Sequence, residues 1–223
     1  MEERYKRNLP ALKEEECQLL HQKHVLVVGA GGLGGYLIEL LARLGVGHIR
    51  LCDGDVFEES NLNRQLLCTH ESLGHAKART AQERVAQINK NVHCEAIEDF
   101  FSAQNAAALL DGIDLVLDGL DNPQARRDLA NACKEANIPY VYGAISGWVA
   151  QVAVILPGEP LIDMLYPPNA KLSDKSSLAF TPSLCASLEV SLATKLLVGR
   201  PVQSGTLYYI DLFTPEFETI PLV

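Results

Sequence analysis

The sequence predicts an α/β fold: a doubly wound, mostly parallel Rossmann-like sheet extended by antiparallel strands at its C-terminal end. Three observations carry that expectation. Short apolar, β-branched runs alternate with helix-length segments from residue 24 to residue 142, the order that βαβ units impose. A glycine-rich turn, Gly29-Ala30-Gly31-Gly32-Leu33-Gly34, stands between the first such run and the first long helical segment, the context in which a strand-to-helix turn can approach a phosphate. Beyond residue 146 the alternation stops, and strand-like segments follow with a single helical pattern among them.

The run His24-Val25-Leu26-Val27-Val28 is almost wholly apolar, as a parallel strand covered on both faces must be. Residues 32–44 follow with helical periodicity, then 49–52 as a second strand, 75–89 as a helix and 92–97 as a third strand. A helix over 103–110 leads to a fourth strand, 113–118. Pro123 sits where a first helical turn tolerates proline, opening a helix to about residue 137, and 140–142 is a fifth strand. Ahead of all these, residues 9–22 place Leu9, Leu12, Leu19 and Leu20 among charges and read as an amphipathic helix. Segments 149–156, 206–212 and 216–222 read as strands that continue the sheet antiparallel, and 183–197 as a helix. The proline-rich, polar stretch 157–182 is long for a connector and is expected to be functional. The organisation is one domain over 1–223: a helical segment to 22, a nucleotide-binding core over 23–146, and a β extension over 147–223 that carries the crossover loop and its helix.

Composition narrows the function classes. The chain has 223 residues with 19 Lys and Arg against 28 Asp and Glu, a formal net charge of −9, which disfavours nonspecific nucleic-acid binding because that needs basic surface. Mean hydropathy is +0.05, and no run of eighteen apolar residues exists to span a bilayer. The opening Met1-Glu2-Glu3-Arg4 lacks the apolar centre of a secretory signal, so a cytoplasmic location is expected. The six cysteines, at 17, 52, 68, 94, 133 and 185, include no C-x-x-C pair, and scattered cysteines of this kind are usually small buried hydrophobes.

The chemistry-bearing residues begin at the glycine turn. Asp53 lies nineteen positions after Gly34, where a carboxylate can accept hydrogen bonds from ribose hydroxyls. To this point an NAD-dependent oxidoreductase fits equally. The next residues favour a triphosphate. Arg64, within Asn61-Leu62-Asn63-Arg64-Gln65, and Lys77, after Gly74-His75-Ala76, are cations able to neutralise phosphate charge as pyrophosphate leaves. Asp121 follows the fourth strand within Asp118-Gly119-Leu120-Asp121-Asn122. A carboxylate there can hold Mg²⁺, which takes only one or two protein groups; alternatively Asp121 or Asn122 caps the helix that Pro123 opens.

Taken with Asp53-Gly54-Asp55, these stretches resemble the ThiF/MoeB/HesA adenylyltransferases, bacterial relatives of the ubiquitin-activating enzymes; the N-x-x-R-Q and G-x-x-K patterns match at 61–65 and 74–77, and the resemblance covers nearly the whole chain. The resemblance implies ATP-dependent adenylylation of the C-terminal carboxylate of a small ubiquitin-like sulfur carrier, ThiS- or MoaD-like and ending in Gly-Gly, in thiamine, molybdenum-cofactor or related sulfur metabolism. It implies nucleotide contacts at Gly29, Gly31, Gly32, Gly34, Asp53, Asp55, Asn61, Arg64, Gln65, Lys77, Asp121 and Asn122, with Arg64, Lys77 and Asp121 catalytic and Mg²⁺ on Asp121. The opening Arg4-Tyr5-Lys6-Arg7 resembles the family's R-Y-x-R start, which implies a homodimer in which Arg7 reaches the partner's triphosphate. Two family features are missing. The first zinc-binding C-x-x-C pair would fall at Leu161-Ile162-Asp163-Met164, and no cysteine follows Cys185, so zinc is not expected. Residues 171–180 hold no cysteine for a thiol step either. Cys185 is the nearest thiol, either activated at a helix N-terminus or simply buried. Three other readings stay open: a nucleotide-binding adaptor for a ubiquitin-like protein, an ATP-dependent tRNA-base dehydratase, and the oxidoreductase.

Overall fold

A computed structural model of the chain describes residues 2–167 and 176–223. The chain forms an eight-stranded sheet flanked by helices, mostly parallel with antiparallel strands at the C-terminal side. Strand β1 (His24–Val28) lies in the middle of its parallel part, with β2 (His48–Cys52) and β3 (His93–Ile97) to one side and β4 (Leu115–Asp118) and β5 (Tyr140–Ser146) to the other, all parallel. Then β6 (Val149–Ile155), β7 (Thr206–Asp211) and β8 (Glu216–Pro221) continue antiparallel, giving the order β3-β2-β1-β4-β5-β6-β7-β8. The strand order reverses between β1 and β4, where an open α/β sheet leaves a crevice at the carboxyl ends of its strands.

Side-chain alternation along the strands splits the core in two. Val25 and Val27 of β1 face one layer, built with α1 (Glu14–Leu20), α2 (Gly32–Leu44), α3 (Lys77–Ile88) and α7 (Phe180–Leu197). Leu26 and Val28 face the other, built with α4 (Ala106–Leu110), α5 (Pro123–Ala136) and α6 (Leu161–Leu165). Because both faces are covered, the inner strands are apolar throughout instead of alternating. Among the described residues no helix is long and apolar enough to cross a membrane.

Most boundaries fall within three residues of the sequence expectation; β5 runs four residues further than expected, to Ser146, and three other segments are corrected. The amphipathic reading of 9–22 is corrected: Glu3–Asn8 forms a 3-10 helix, Leu9 is extended ahead of Pro10, and α1 begins only at Glu14. The residue before a proline is sterically steered out of the helical region. Within the stretch read as loop, α6 forms, held by Leu161 and Ile162, both buried. Helix α7 starts at Phe180 instead of 183, with Pro182 inside its first turn, where its missing N–H costs nothing.

Candidate nucleotide site

The glycine turn joins β1 to α2 in a geometry that only glycine supports at two points. Gly29 has φ +92°, and a Cβ on it would stand 2.6 Å from the carbonyl oxygen of Gly119; a Cβ on Gly34 would stand 1.8 Å from the Gly29 oxygen. The Gly29 amide donates to Cys52 O and the Gly119 amide to Val28 O, both at 2.8 Å. The turn after β1 and the turn after β4, which carries Asp121, are therefore in direct contact.

Asp53, just past β2, is buried and ties down the glycine turn. Its Oδ2 accepts the Ala30 amide at 2.6 Å and its Oδ1 the Asp55 amide at 2.8 Å. Burial pushes this carboxyl up, with the two amide bonds and Lys77 pulling the other way. Each oxygen keeps a second lone pair for a further donor. Asp55 in turn pairs with Lys77: Nζ stands 3.0 Å from Asp55 Oδ2, and the Lys77 amide donates to Asp55 O at 2.9 Å. Lys77 is the first residue of α3 and is buried, while the Asp55 side chain is half exposed.

Asn61 ends a 3-10 turn, Glu59–Asn61, and its Oδ1 accepts the Glu58 amide at 3.0 Å, so this side chain shapes its own loop. Its carbonyl accepts the Arg64 and Gln65 amides, which aims both side chains over the glycine turn. Arg64 Cγ lies 3.7 Å from where a Gly32 Cβ would stand, and Gln65 Nε2 lies 3.7 Å from the equivalent point on Gly31. Arg64 Nη1 donates to Ser60 O and Asn63 Oδ1. Gln65 Oε1 is buried with no hydrogen-bond partner among the described residues.

Asp121 is exposed, and of the two candidates it is Asn122 that caps α5, its Oδ1 accepting the Ala125 amide at 2.8 Å. Arg7 is not brought to these residues within one chain. Tyr5, two positions away, packs against Gly45 at the far end of α2, and the 13 residues of that helix span about 20 Å. Cys185 lies inside α7, not at its N-terminus, because the helix starts earlier than the sequence suggested. It is fully buried, and burial with Glu189 beside it pushes the thiol well above its ordinary range. Both conditions oppose thiolate formation.

Sequence reasoning passed over a buried polar group beneath the Asp121 turn. Asp118 at the end of β4 is fully buried; its Oδ1 accepts the Leu120 amide at 2.7 Å, and its Oδ2 accepts the Tyr140 hydroxyl and lies 3.1 Å from Arg126 Nε. Burial pushes the Asp118 carboxyl up, against the opposing pull of Arg126. The available signal was an arginine in an apolar stripe: Arg126, Leu129 and Cys133 are the buried positions of α5, and a charge at that spacing is buried only with a partner.

The profile of the family described as the ThiF family matches residues 5–222. A sulfur carrier protein adenylyltransferase from Thermus thermophilus is 36% identical over 93% of this chain and 82% of its own length. A probable molybdopterin-synthase adenylyltransferase from Porphyra purpurea is 30% identical over 96% of this chain, which spans 59% of that protein. Among solved structures, E. coli MccB with ATP superposes with a TM-score of 0.81 at 20% identity, covering 100% of this chain and 72% of that one; at that identity the likeness speaks for the fold.

Proposed function

The chain belongs to the ThiF family, and on that premise we propose that it transfers AMP from ATP to the C-terminal carboxylate of a small ubiquitin-like sulfur carrier ending in Gly-Gly, releasing pyrophosphate. The observation that carries this reading is the contact between the glycine turn and the Asp121 turn, with Arg64 and Gln65 lying over the first and Lys77 joined to it through Asp55 and Asp53. An oxidoreductase leaves Arg64 and Lys77 without a task. The relatives named as adenylyltransferases support the same reading.

The residue set fits a nucleotide. Gln65 offers a buried acceptor that lacks a donor, the helix α2 N-terminus favours an anion, and two cations flank the turn. It also fits Mg²⁺, which takes one or two carboxylates and completes its sphere with water and phosphate: Asp121 would hold the ion. No group of three or more acidic, His or Cys side chains among the described residues would form an all-protein cage. When bound, the ion supplies positive charge at the phosphates. In this mechanism the carrier carboxylate, already ionised at neutral pH, attacks the α-phosphorus and pyrophosphate leaves. Arg64 and Lys77 stabilise the charge that builds on the leaving group, and the buried Asp53 fixes the glycine turn. No side chain has to remove a proton, so positioning and electrostatics supply the rate. Arg7, far from its own glycine turn, completes the partner's site in a homodimer.

ATP–pyrophosphate exchange tests the proposal. Exchange that depends on a Gly-Gly-ended carrier is expected, falling by about 10²–10³-fold in Asp121→Ala and in Arg64→Ala, the loss typical of one charge-stabilising group. Binding of NAD without binding of ATP would overturn the reading.

A further inference from the structure

We propose that Arg126 is a positioning residue that ties the Asp121 turn to the end of α6, so that the metal-and-nucleotide end of the site and the first helix of the 157–182 stretch are held by one guanidinium. This deepens the ATP-dependent reading and rests on it.

The guanidinium is buried and has three anchors on three elements. Nη2 donates to Leu120 O at 2.6 Å and to Gly143 O of β5 at 2.8 Å, and Nη1 donates to the Tyr166 hydroxyl. Tyr166 follows α6 directly. Its hydroxyl lies 2.7 Å from that of Tyr142, which also donates to Gln151 Oε1. The Tyr166 carbonyl accepts Arg127 Nη1 at 2.9 Å. The Arg126 carbon centre stands 5.1 Å from the Tyr142 ring centroid and 5.4 Å from that of Tyr166. At the other end, the Leu120 peptide is gripped from both sides: its N–H by Asp118 and its C=O by Arg126. The next residue is Asp121. A charge pair kept only for stability gives little over an apolar pair, whereas a planar fork that reaches three acceptors fixes geometry. If the two ends are linked through it, each must respond to the other.

The test uses the full chain and ATP, with binding measured calorimetrically across a Mg²⁺ series, and amide exchange followed over residues 161–166. Arg126→Lys keeps the charge opposite Asp118 but cannot reach three acceptors at once. It should raise the Mg²⁺ needed for half-maximal ATP binding about tenfold, the lower end of what loss of an outer-shell partner costs, and Tyr166→Phe should raise it by less. MgATP should slow exchange at 161–166 in the wild type and not in Tyr166→Phe. Folded variants whose Mg²⁺ profiles and exchange match the wild type, while Asp121→Ala shifts its profile, would overturn this inference and leave the function reading standing. If Arg126→Lys does not fold, Tyr166→Phe decides. A wild type that binds no ATP overturns both.

Discussion

Four carboxylates are buried among the described residues, and they differ in what meets them: Glu39 pairs with Arg43 and Arg84, and the other three face no such pair of cations. Asp53 and Asp118 each accept backbone amides. Glu189 on α7 has no such amide: its Oε1 lies 3.7 Å from Cys185 Sγ, and its Oε2 has no hydrogen-bond partner among the described residues. It leans onto Gly143, where a Cβ would stand 1.9 Å from Oε1, so the glutamate at 189 leaves room only for glycine at 143. Burial, and then the Asp118 charge, push the Glu189 carboxyl well above its ordinary 4.5. A group whose folded pKa is raised gives stability that is complete below the unfolded value and lost as pH rises toward the folded one. The Glu189→Gln variant carries no such charge. Its melting temperature should therefore gain on the wild type as pH rises from about 5 to about 8, by at least about 3 °C, since 1 kcal/mol moves a chain of this size by about 2–4 °C. Melting curves whose difference stays flat with pH would show that Glu189 is ionised inside the fold.

At the scale of elements, α6 occupies the Leu161-Ile162-Asp163-Met164 stretch, at which no C-x-x-C pair stands. Leu161 is fully buried and Ile162 nearly so, against Tyr140, Ile155 and other members of the α5-side core. Apolar burial therefore tethers this five-residue helix. Two melts follow from that. A strong zinc chelator should leave the melting temperature unchanged, and Leu161→Ala should destabilise by about 2–5 kcal/mol, the loss for a buried leucine whose site collapses only partly. A large chelator effect would mean that a metal holds the chain together elsewhere. Helix α7 is apolar enough to be recognised from its sequence, yet it starts three residues before the expected 183, because Pro182 reads as the end of a loop. Proline marks a helix start as readily as a break, and only the packing of Thr181 and Pro182, both buried, decides between them.

At the scale of the whole molecule, the separation of Arg7 from the glycine turn gives the proposed homodimer its test. Arg7→Ala and Asp121→Ala should each cut carrier-dependent exchange by about 10²–10³-fold. Co-expressed, they should regain about a quarter of wild-type activity, because half of the dimers are mixed and each mixed dimer assembles one intact site from two chains. Two folded variants that recover nothing together would place Arg7 outside the site.

The sequence by itself determined the local grammar: the strand-helix alternation, the glycine turn, and the spacing of Arg64, Lys77 and Asp121, because periodicity and turn chemistry act over a few residues. It also carried Asn122 as a cap, since a cap and its amide lie three residues apart. Tertiary structure alone decided what distant segments do to one another. The glycine turn meets the Asp121 turn only because β4 is hydrogen-bonded beside β1, ninety residues away in the chain. The Asp118–Arg126–Tyr166 group assembles from β4, α5 and the end of α6. Arg126 and Glu189 read in the sequence as charges on helices, because a charge's partner across a sheet leaves no periodic trace. Their burial, and with it their role, follows from closing two layers over one sheet, where a polar group must find a partner or give up its charge.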